Sequence, residues 1–235
     1  MFGDLDIACF MDSKINVGGT YFVRDRSTNG IHLELESGVA EPTWDAIRGL
    51  YTFDGADGML VQSSADVNSV LANMGSRQDE TYIFLANPFV YTAVDNDQWF
   101  NKGSSAAGTD YVYLRQRNAG GGARFQFRKS GTAGTYNFYG SNNSLLEIDR
   151  QVVLLTLVIQ DGYQAYYFNE QKRDEGTNAD IDVSNNRSLY VGRNDPADGG
   201  NQLPAGTGIS MFGYGRFAAT DSWVRSVCRH FRNML

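Results

Sequence analysis

The segment from Arg48 to Val61, RGLYTFDGADGMLV, constrains the fold more than any other part of the chain. Two short runs of strand-forming residues flank an Asp-Gly turn, with Phe53 before it and Met59 after it. Gly55 and Gly58 supply the positive backbone angles that a short reversal needs, because glycine adopts them without steric cost. We therefore expect a strand, a tight turn and the start of a second strand.

Alternation of apolar and polar residues with period two recurs along the chain and indicates strands. In the segment 123–129, Phe125 and Phe127 share one face, and arginine and glutamine share the other. Residues 111–117 behave similarly, and a run of glycines joins the two segments as a predicted hairpin. Residues 152–159 are apolar on both faces, which fits a central strand that is covered on both sides.

The firmest helical pattern lies at the C-terminus. Trp223, Val227 and Phe231 form one apolar stripe, and Asp221 stands in a capping position before them. A single turn of helix is expected before Gly75. The chain is therefore predicted to be rich in strands, with one terminal helix.

Composition favours one globular domain over residues 1–235 and excludes several classes of partner. Hydrophobic residues make up 42% and charged residues 20% of the chain, so a core can form and disorder is not expected. The formal net charge of -7 argues against a duplex nucleic acid or an anionic membrane as the main partner. No stretch approaches the roughly 20 apolar residues that a membrane span requires.

The N-terminal segment MFGDLDIACFMDS carries acidic residues where a signal peptide would carry positive charge, and it has no long apolar region. We therefore expect folding in a cytosol. Cys9 and Cys228 are the only cysteines. Two buried free thiols are expected in that reducing compartment, and a disulfide between them is the alternative.

Four motifs follow one another over most of the chain: the turn in Arg24 to Leu33, the Phe-Asp-Gly region in Trp44 to Leu60, the Asp-Gly hairpin in 155–170 and the strand SLYVGR in 188–193. Together they resemble laminin-G-like domains of the concanavalin A-like lectin and glucanase group. The resemblance implies an all-β, antiparallel two-sheet jelly-roll sandwich with a short C-terminal helix. It also implies non-catalytic binding of sugars or proteins at the rims.

Glu147 and Asp149 are the residues to test for catalysis. Sugar-cleaving relatives of this fold use a Glu-x-Asp-x-(x)-Glu strand, in which two carboxylates about 5 Å apart act as nucleophile and acid in retaining enzymes. Here Arg150, Gln151 and Val152 follow, so the acid/base partner is missing. We expect no hydrolysis, and a glycanase or polysaccharide lyase of the same fold is an alternative.

Calcium is the one cofactor for which the resemblance provides a position. Some relatives bind it beside the turn that corresponds to residues 25–30, so Asp25 and Asn29 are the candidate ligands, with oxygen atoms of the kind that the ion prefers. Polar turn residues that form Asx-type turns are the alternative interpretation.

Two surface features are candidates for ligand binding. The first is the segment 95–102, DNDQWFNK, in which Trp99 lies near Asp95, Asn96 and Asp97. An aromatic ring on a loop stacks on a sugar, while amides and carboxylates bind its hydroxyl groups. We expect Trp99 on a rim loop, and burial of the ring in the core is the alternative.

The second feature is a basic cluster on the predicted hairpin, formed by Arg115, Arg117, Arg124 and Arg128 with Lys129 beside them. In an acidic protein such a patch suits an acidic glycan or an acidic protein. The alternative is the solvated face of an exposed hairpin.

A stand-alone module of this kind, without a signal peptide or an attached enzyme, looks like a bacteriophage virion protein: a capsid decoration, a head fibre or a tail component. We expect it on the virion, in contact with glycan or with neighbouring virion proteins. A carbohydrate-binding module of a secreted, extracellular protein is the alternative. A homo- or hetero-oligomeric assembly is also expected, because the second apolar face of 152–159 must be covered by a loop, the terminal helix or another subunit.

Overall fold

The computed structural model of the protein describes residues 2–35, 41–56, 58–61, 68–76, 79–93, 97–103, 110–118, 122–132, 134–179, 181–183, 185, 187–194 and 202–232. A 3-10 turn (Phe2–Asp4) precedes the strands. The strands are β1 (Ile7–Val17), β2 (Thr20–Asp25), β3 (Leu33–Leu35), β4 (Thr43–Asp45), β5 (Leu50–Thr52), β6 (Met59–Val61), β7 (Glu80–Ala86), β8 (Gln98–Lys102), β9 (Tyr111–Arg117), β10 (Arg124–Gly131), β11 (Gly134–Tyr139), β12 (Val153–Gln160), β13 (Tyr163–Phe168), β14 (Gln171–Thr177), β15 (Leu189–Val191) and β16 (Gly208–Gly215). The helices are α1 (Asn68–Leu71) and α2 (Asp221–Arg232), and neither is long and apolar enough to cross a membrane.

All the described strands except β4 and β5 follow one hydrogen-bonded path that folds over into two antiparallel layers, and β5 pairs with both β4 and β16. The front layer runs β11-β10-β9-β8-β15-β6-β3-β2, and the back layer runs β1-β16-β7-β12-β13-β14. Strand β1 joins them: Ile7 pairs with Tyr214 of β16, and after a register shift Lys14 pairs with Val23 of β2. The predicted two-sheet jelly-roll sandwich with a C-terminal helix is confirmed.

Aromatic rings from both layers meet in the core between them. Tyr82 of β7 stacks on Phe100 of β8 at a ring-centroid distance of 4.9 Å. The same ring lies 5.6 Å from Phe127 of β10, and Phe125 lies 5.9 Å from Phe168 of β13. Period-two alternation places these rings on the inner faces, so their burial holds the layers together.

The segment 48–61 crosses from one layer to the other, so the expected tight reversal is wrong. Strand β5 pairs with β16 of the back layer, whereas β6 pairs with β15 and β3 of the front layer. The buried Phe53 between them donates its N–H to Thr207 at 2.9 Å. Gly55 does adopt a positive φ of 92°. Gly58 is required for space, because a β-carbon there would collide with the side chain of Arg193.

The two predicted hairpins are present. Arg117 of β9 stands opposite Arg124 of β10, and Gln160 of β12 stands opposite Tyr163 of β13. Asp161 and Gly162 both have positive φ in the second turn, as a two-residue reversal of this kind requires.

Helix α2 covers the outer face of the back layer. Leu154 of β12 clusters with Phe231, and Val158 clusters with Val224. Both faces of β12 are therefore covered by the same chain, and Val152, which precedes the strand, remains 37% exposed. The expected assembly loses the reason that β12 gave for it and stays a prediction.

The residue that caps α2 is Thr220 and not Asp221. The hydroxyl of Thr220 accepts a hydrogen bond from the N–H of Trp223 at 3.2 Å. Asp221 is the first helical residue, and its carboxylate accepts a hydrogen bond from Tyr167 at 2.7 Å.

The two cysteines are free and buried, as expected. Cys9 lies in the core between the layers, whereas Cys228 lies beneath α2 in the cluster on the outer side of the back layer. The two thiols therefore belong to separate clusters, and no disulfide joins them.

Candidate ligand-binding face

Trp99 is a core residue, and its expected place on a rim loop is wrong. It lies in β8, is 0% exposed and stacks on Phe89 at 5.5 Å. The pairing of β8 with β9 shifts between Gln98 and Phe100. Because this irregularity breaks the alternation, the consecutive rings of Trp99 and Phe100 are both buried.

The structure describes only one of the three polar neighbours of Trp99. Asp95 and Asn96 lie outside the described residues, so their role in binding stays a prediction. Asp97 is nearly buried, and its carboxylate accepts a hydrogen bond from the hydroxyl of Thr92 at 2.6 Å. Its carbonyl accepts the N–H of Gln116 at 2.8 Å. These contacts fix the position of Asp97 beside β9, directly before the first residue of β8.

The turn at Asp25 has the hydrogen bonds of the Asx-type turn that is the alternative interpretation, and the calcium site stays a prediction. The buried carboxylate accepts hydrogen bonds from the N–H groups of Ala8, Ser27 and Ile31 at 2.7–2.9 Å, and from the Ser27 hydroxyl at 2.6 Å. Asn29 donates its amide to the carbonyl of Asp6 at 2.8 Å. These donors occupy both carboxylate oxygens. Within the described ranges there is no group of three or more His, Cys, Asp or Glu residues that could hold a metal.

The four arginines lie together on the outer face of the front layer, as the basic cluster predicts. Arg117 stands opposite Arg124, Arg115 stands opposite Gln126, and Arg128 is paired with Tyr113. Their strand neighbours point inward into the core. We call this surface the arginine–tyrosine face; it comprises Tyr111, Tyr113, Arg115, Arg117, Arg124, Gln126, Arg128, Asn137 and Tyr139.

Tyrosine rings support the guanidinium groups of this face. The Cζ atom of Arg124 lies 4.4 Å from the centroid of the Tyr139 ring, and that of Arg115 lies 4.7 Å from Tyr113. Arg128 lies over Tyr111 at 5.6 Å. These distances are those of cation–π contacts, which hold the cations in place while the side chains stay partly exposed.

Gln126 connects the three strands of the face. Its side-chain oxygen accepts a hydrogen bond from Nε of Arg115 at 2.7 Å. Its amide nitrogen donates to Asn137 at 2.8 Å and to the Tyr139 hydroxyl at 3.0 Å. The network fixes the orientation of groups that a ligand would contact, which lowers the entropy lost on binding.

Two of the arginines have no acidic partner. Arg124 and Arg128 form no ion pair with any residue that the structure describes, and their Nε–H groups are buried without an acceptor. Burial raises the pKa of Tyr113, while Arg115 and Arg128 lower it. A guanidinium group binds a carboxylate or sulfate through two parallel hydrogen bonds. The face can therefore bind an anionic group beside an aromatic ring.

The tyrosines and amides of the face were missed by sequence reasoning. The positions of Tyr111, Tyr113 and Gln126 follow from the same alternation that grouped the arginines, so the signal was present. Tyr139 and Asn137 are different, because their place depends on the register of β11 against β10.

Glu147 and Asp149 lie in a surface turn and not on a strand. The Glu147 carboxylate forms an ion pair with Arg173 at 2.8 Å. The Asp149 carboxylate accepts the N–H of Tyr91 at 2.8 Å. This arrangement differs from the strand on which the sugar-cleaving relatives carry their carboxylates.

No protein-family model matches the chain, and no curated protein matches it. Solved structures share its fold. The binding domain of Paraclostridial Mosquitocidal Protein 1 aligns with 96% of this chain and 53% of its own length, with a TM-score of 0.63 and 16% identity. The botulinum neurotoxin type G receptor-binding domain aligns with 97% of this chain and 51% of its own, with a TM-score of 0.64 and 10% identity. This chain therefore spans about half of each toxin domain.

A third structure is similar over most of both chains. Domain 4 of AbnA, a GH43 extracellular arabinanase from Geobacillus stearothermophilus solved in complex with arabinotriose, aligns over 82% of each chain, with a TM-score of 0.53 and 18% identity. At these identities the likeness shows the fold. The chain has the β-sandwich fold of receptor-binding and carbohydrate-binding domains.

Proposed function

We propose that this protein is a non-catalytic binding module that holds an acidic glycan on the arginine–tyrosine face. The observation that carries the proposal is the placement of Arg124 and Arg128, which have no acidic partner in the part of the chain that the structure describes, beside the rings of Tyr139 and Tyr111. Uronate or sulfate groups would bind the guanidinium groups, and the sugar rings would lie against the tyrosines.

The charge of the whole chain supports an anionic ligand at this face. The net charge is -7, yet the face carries four arginines and no acidic residue. An anion is therefore repelled by the protein as a whole and attracted at this face. Two of the similar solved structures are a receptor-binding domain and a domain in complex with arabinotriose, and a sugar ligand agrees with both.

We further propose that the module works on the surface of a bacteriophage virion, as a capsid decoration, a head fibre or a tail component. Its ligand there would be a glycan, and neighbouring virion proteins would hold it in place. The two reduced thiols support folding in a host cytosol. Mass spectrometry of purified particles tests this: the chain is expected at a fixed ratio to a capsid or tail protein. Detection only in free, secreted form would support the secreted carbohydrate-binding module.

Glycan binding is tested with polygalacturonate and its fully methyl-esterified form, which share a backbone and differ in charge. Calorimetry is expected to show binding of the first polymer alone. The double variant Arg124→Ala/Arg128→Ala is expected to bind it at least about tenfold more weakly, a loss of about 1.4 kcal/mol.

The matched control is Arg225→Ala/Arg229→Ala, which removes the same charge from the exposed side of α2. This control is expected to bind as the parent does. Equal weakening by both double variants would mean that net charge alone governs the affinity. It would contradict the assignment of the binding site to the arginine–tyrosine face. Binding of the methyl-esterified polymer with the same affinity as polygalacturonate would contradict an acidic ligand.

A further inference from the structure

An open surface cavity lies at the back layer, away from the arginine–tyrosine face. Its volume is about 660 Å³. It lies between the N-terminal 3-10 turn, the end of β16 and the first turn of α2. The residues that line it are Asp4, Asp6, Arg216, Phe217 and Trp223.

The polar wall of this cavity is a rigid ion pair. Asp6 accepts hydrogen bonds from Nε and an Nη of Arg216 at 3.1 and 2.8 Å, and from the backbone N–H of Arg216 at 2.9 Å. The side chain of Arg216 remains 34% exposed. Donors and acceptors are therefore held in fixed positions at the surface of the cavity.

The aromatic wall is formed by two rings. Phe217 meets Trp223 edge to face at a centroid distance of 5.1 Å. The indole N–H of Trp223 donates to the carboxylate of Asp4 at 3.3 Å. This hydrogen bond fixes the exposed Asp4 beside the partly buried Trp223 ring and engages one of its two oxygens.

We propose that this cavity binds one neutral sugar residue, as a second site that is independent of the proposed function of the arginine–tyrosine face. Neighbouring hydroxyl groups of a sugar donate to a carboxylate and accept from a guanidinium at the same time, while the ring packs on an aromatic surface. Asp4, Arg216 and Trp223 present these three kinds of contact.

The charges of the lining decide between a neutral and an acidic sugar. Asp4 and Asp6 carry two negative charges, and Arg216 carries one positive charge that Asp6 already neutralises. The lining is therefore net negative, and it would repel a uronate or sulfate group. This is the opposite of the arginine–tyrosine face, so the two surfaces select different sugars.

Tryptophan fluorescence can measure ligand binding at the second site alone. The chain has three tryptophans, of which Trp99 is 0% exposed and Trp44 is 40% exposed. In a Trp44→Phe background, the only tryptophan open to a ligand is Trp223. Maltotriose, cellotriose, xylotriose and arabinotriose are titrated to millimolar concentration. At least one is expected to shift the emission and to protect the indole from acrylamide quenching.

The Asp4→Ala variant tests the carboxylate. Because Asp4 is exposed, its removal spares the core, and binding is expected to weaken about tenfold through the loss of a charged hydrogen bond. Asp4→Asn keeps one acceptor and is expected to weaken binding less. Arg124→Ala/Arg128→Ala is expected to leave the fluorescence titration unchanged.

Three results would overturn the proposal: no fluorescence response to any of the four trisaccharides, equal affinity in Asp4→Ala, or a response that disappears in Arg124→Ala/Arg128→Ala. The last result would assign the sugar to the arginine–tyrosine face. Failure of polygalacturonate binding with an intact fluorescence response would instead remove the proposed function and keep this site.

Discussion

The outer faces of the two layers carry opposite kinds of side chain. On the back layer, Leu154 and Val158 of β12 are buried beneath α2. On the front layer, Arg124 and Arg128 of β10 stay partly exposed and contact tyrosine rings. Both strands pair with a neighbour on each side and have similar apolar inner faces. The side chains at the outer positions therefore determine whether a strand is buried beneath another element or exposes a polar surface to the solvent.

In this comparison, the side chains that stabilise the fold and the side chains that we propose to bind a ligand lie on opposite sides of the sandwich. Apolar area that is removed from water contributes about 25 cal/mol per Å², so the face under α2 stabilises the fold. The arginine–tyrosine face gains little from burial, because its arginines stay partly exposed and its contacts are weak individually. Substitutions on the two faces should therefore separate folding from binding.

The largest expected effect comes from opening the cover of the back layer. Phe231→Ala removes a ring that is 2% exposed and leaves a cavity between α2 and Leu154. We expect the free energy of unfolding, measured by urea titration, to fall by about 3–5 kcal/mol. Tyr139→Ala on the front layer is the matched aromatic control, with an expected loss of about 1 kcal/mol. Similar losses in the two variants would contradict the division between the faces.

A smaller effect is expected at the joint between the layers. Asp25 lies where β2 leaves β1, and its carboxylate holds three backbone N–H groups. Asp25→Ala leaves those donors unpaired, and we expect a loss of about 2–3 kcal/mol. Calcium is expected to leave the melting temperature of the parent protein unchanged. A rise of several degrees on adding calcium, absent in Asp25→Ala, would support the calcium site.

Lys102 lies on the inner face of the front layer, and the titration of its amine can be measured. Burial lowers the pKa of Lys102 to about 7, although Glu80 opposes the shift. The amine donates to the side-chain oxygen of Asn185 at 2.7 Å. Between pH 7 and pH 8.5 the unfolded lysine keeps its proton and the folded one loses it. The unfolded state then binds more protons, so stability rises with pH, by about 1.4 kcal/mol per pH unit at most.

The control for this prediction is Lys102→Met, which keeps the length of the side chain and removes its charge. The pH dependence of the variant, measured by urea titration at pH 7, 7.75 and 8.5, is expected to be flatter than that of the parent. Glu80 does not account for the slope, because burial raises its pKa and its contribution falls as pH rises. Parallel curves for the two proteins would show that Lys102 is charged throughout this range.

The features predicted correctly from the sequence depend on neighbours in the chain. The hairpin of β9 and β10 and the stripe of α2 follow from local periodicity, and both are present. The resemblance added the two-layer architecture. The basic cluster was also found, because alternation groups Arg115 with Arg117 and Arg124 with Arg128.

The features predicted wrongly depend on partners far away in the chain. The segment 48–61 reads as a local reversal, but β16 and β15 bind its two strands in different layers. Trp99 reads as exposed because polar residues precede it, but an irregularity in β8 turns it inward. Local patterns contain no information on these pairings.

The smallest expected effects come from two variants of Tyr139, which distinguish the contribution of its ring from that of its hydroxyl. The ring lies under Arg124, whereas the hydroxyl accepts hydrogen bonds from Gln126 and Arg117 at 3.0 and 3.4 Å. Tyr139→Phe keeps the cation–π contact and loses only the weaker contacts, so we expect a stability loss of about 0.5 kcal/mol. Binding of polygalacturonate should weaken about twofold, an energy of about 0.4 kcal/mol. Tyr139→Leu removes the aromatic surface at similar volume, and calorimetry should show about fivefold weaker binding. Equal affinities for the Phe and Leu variants would mean that the ring does not position Arg124, and that the face binds through charge alone.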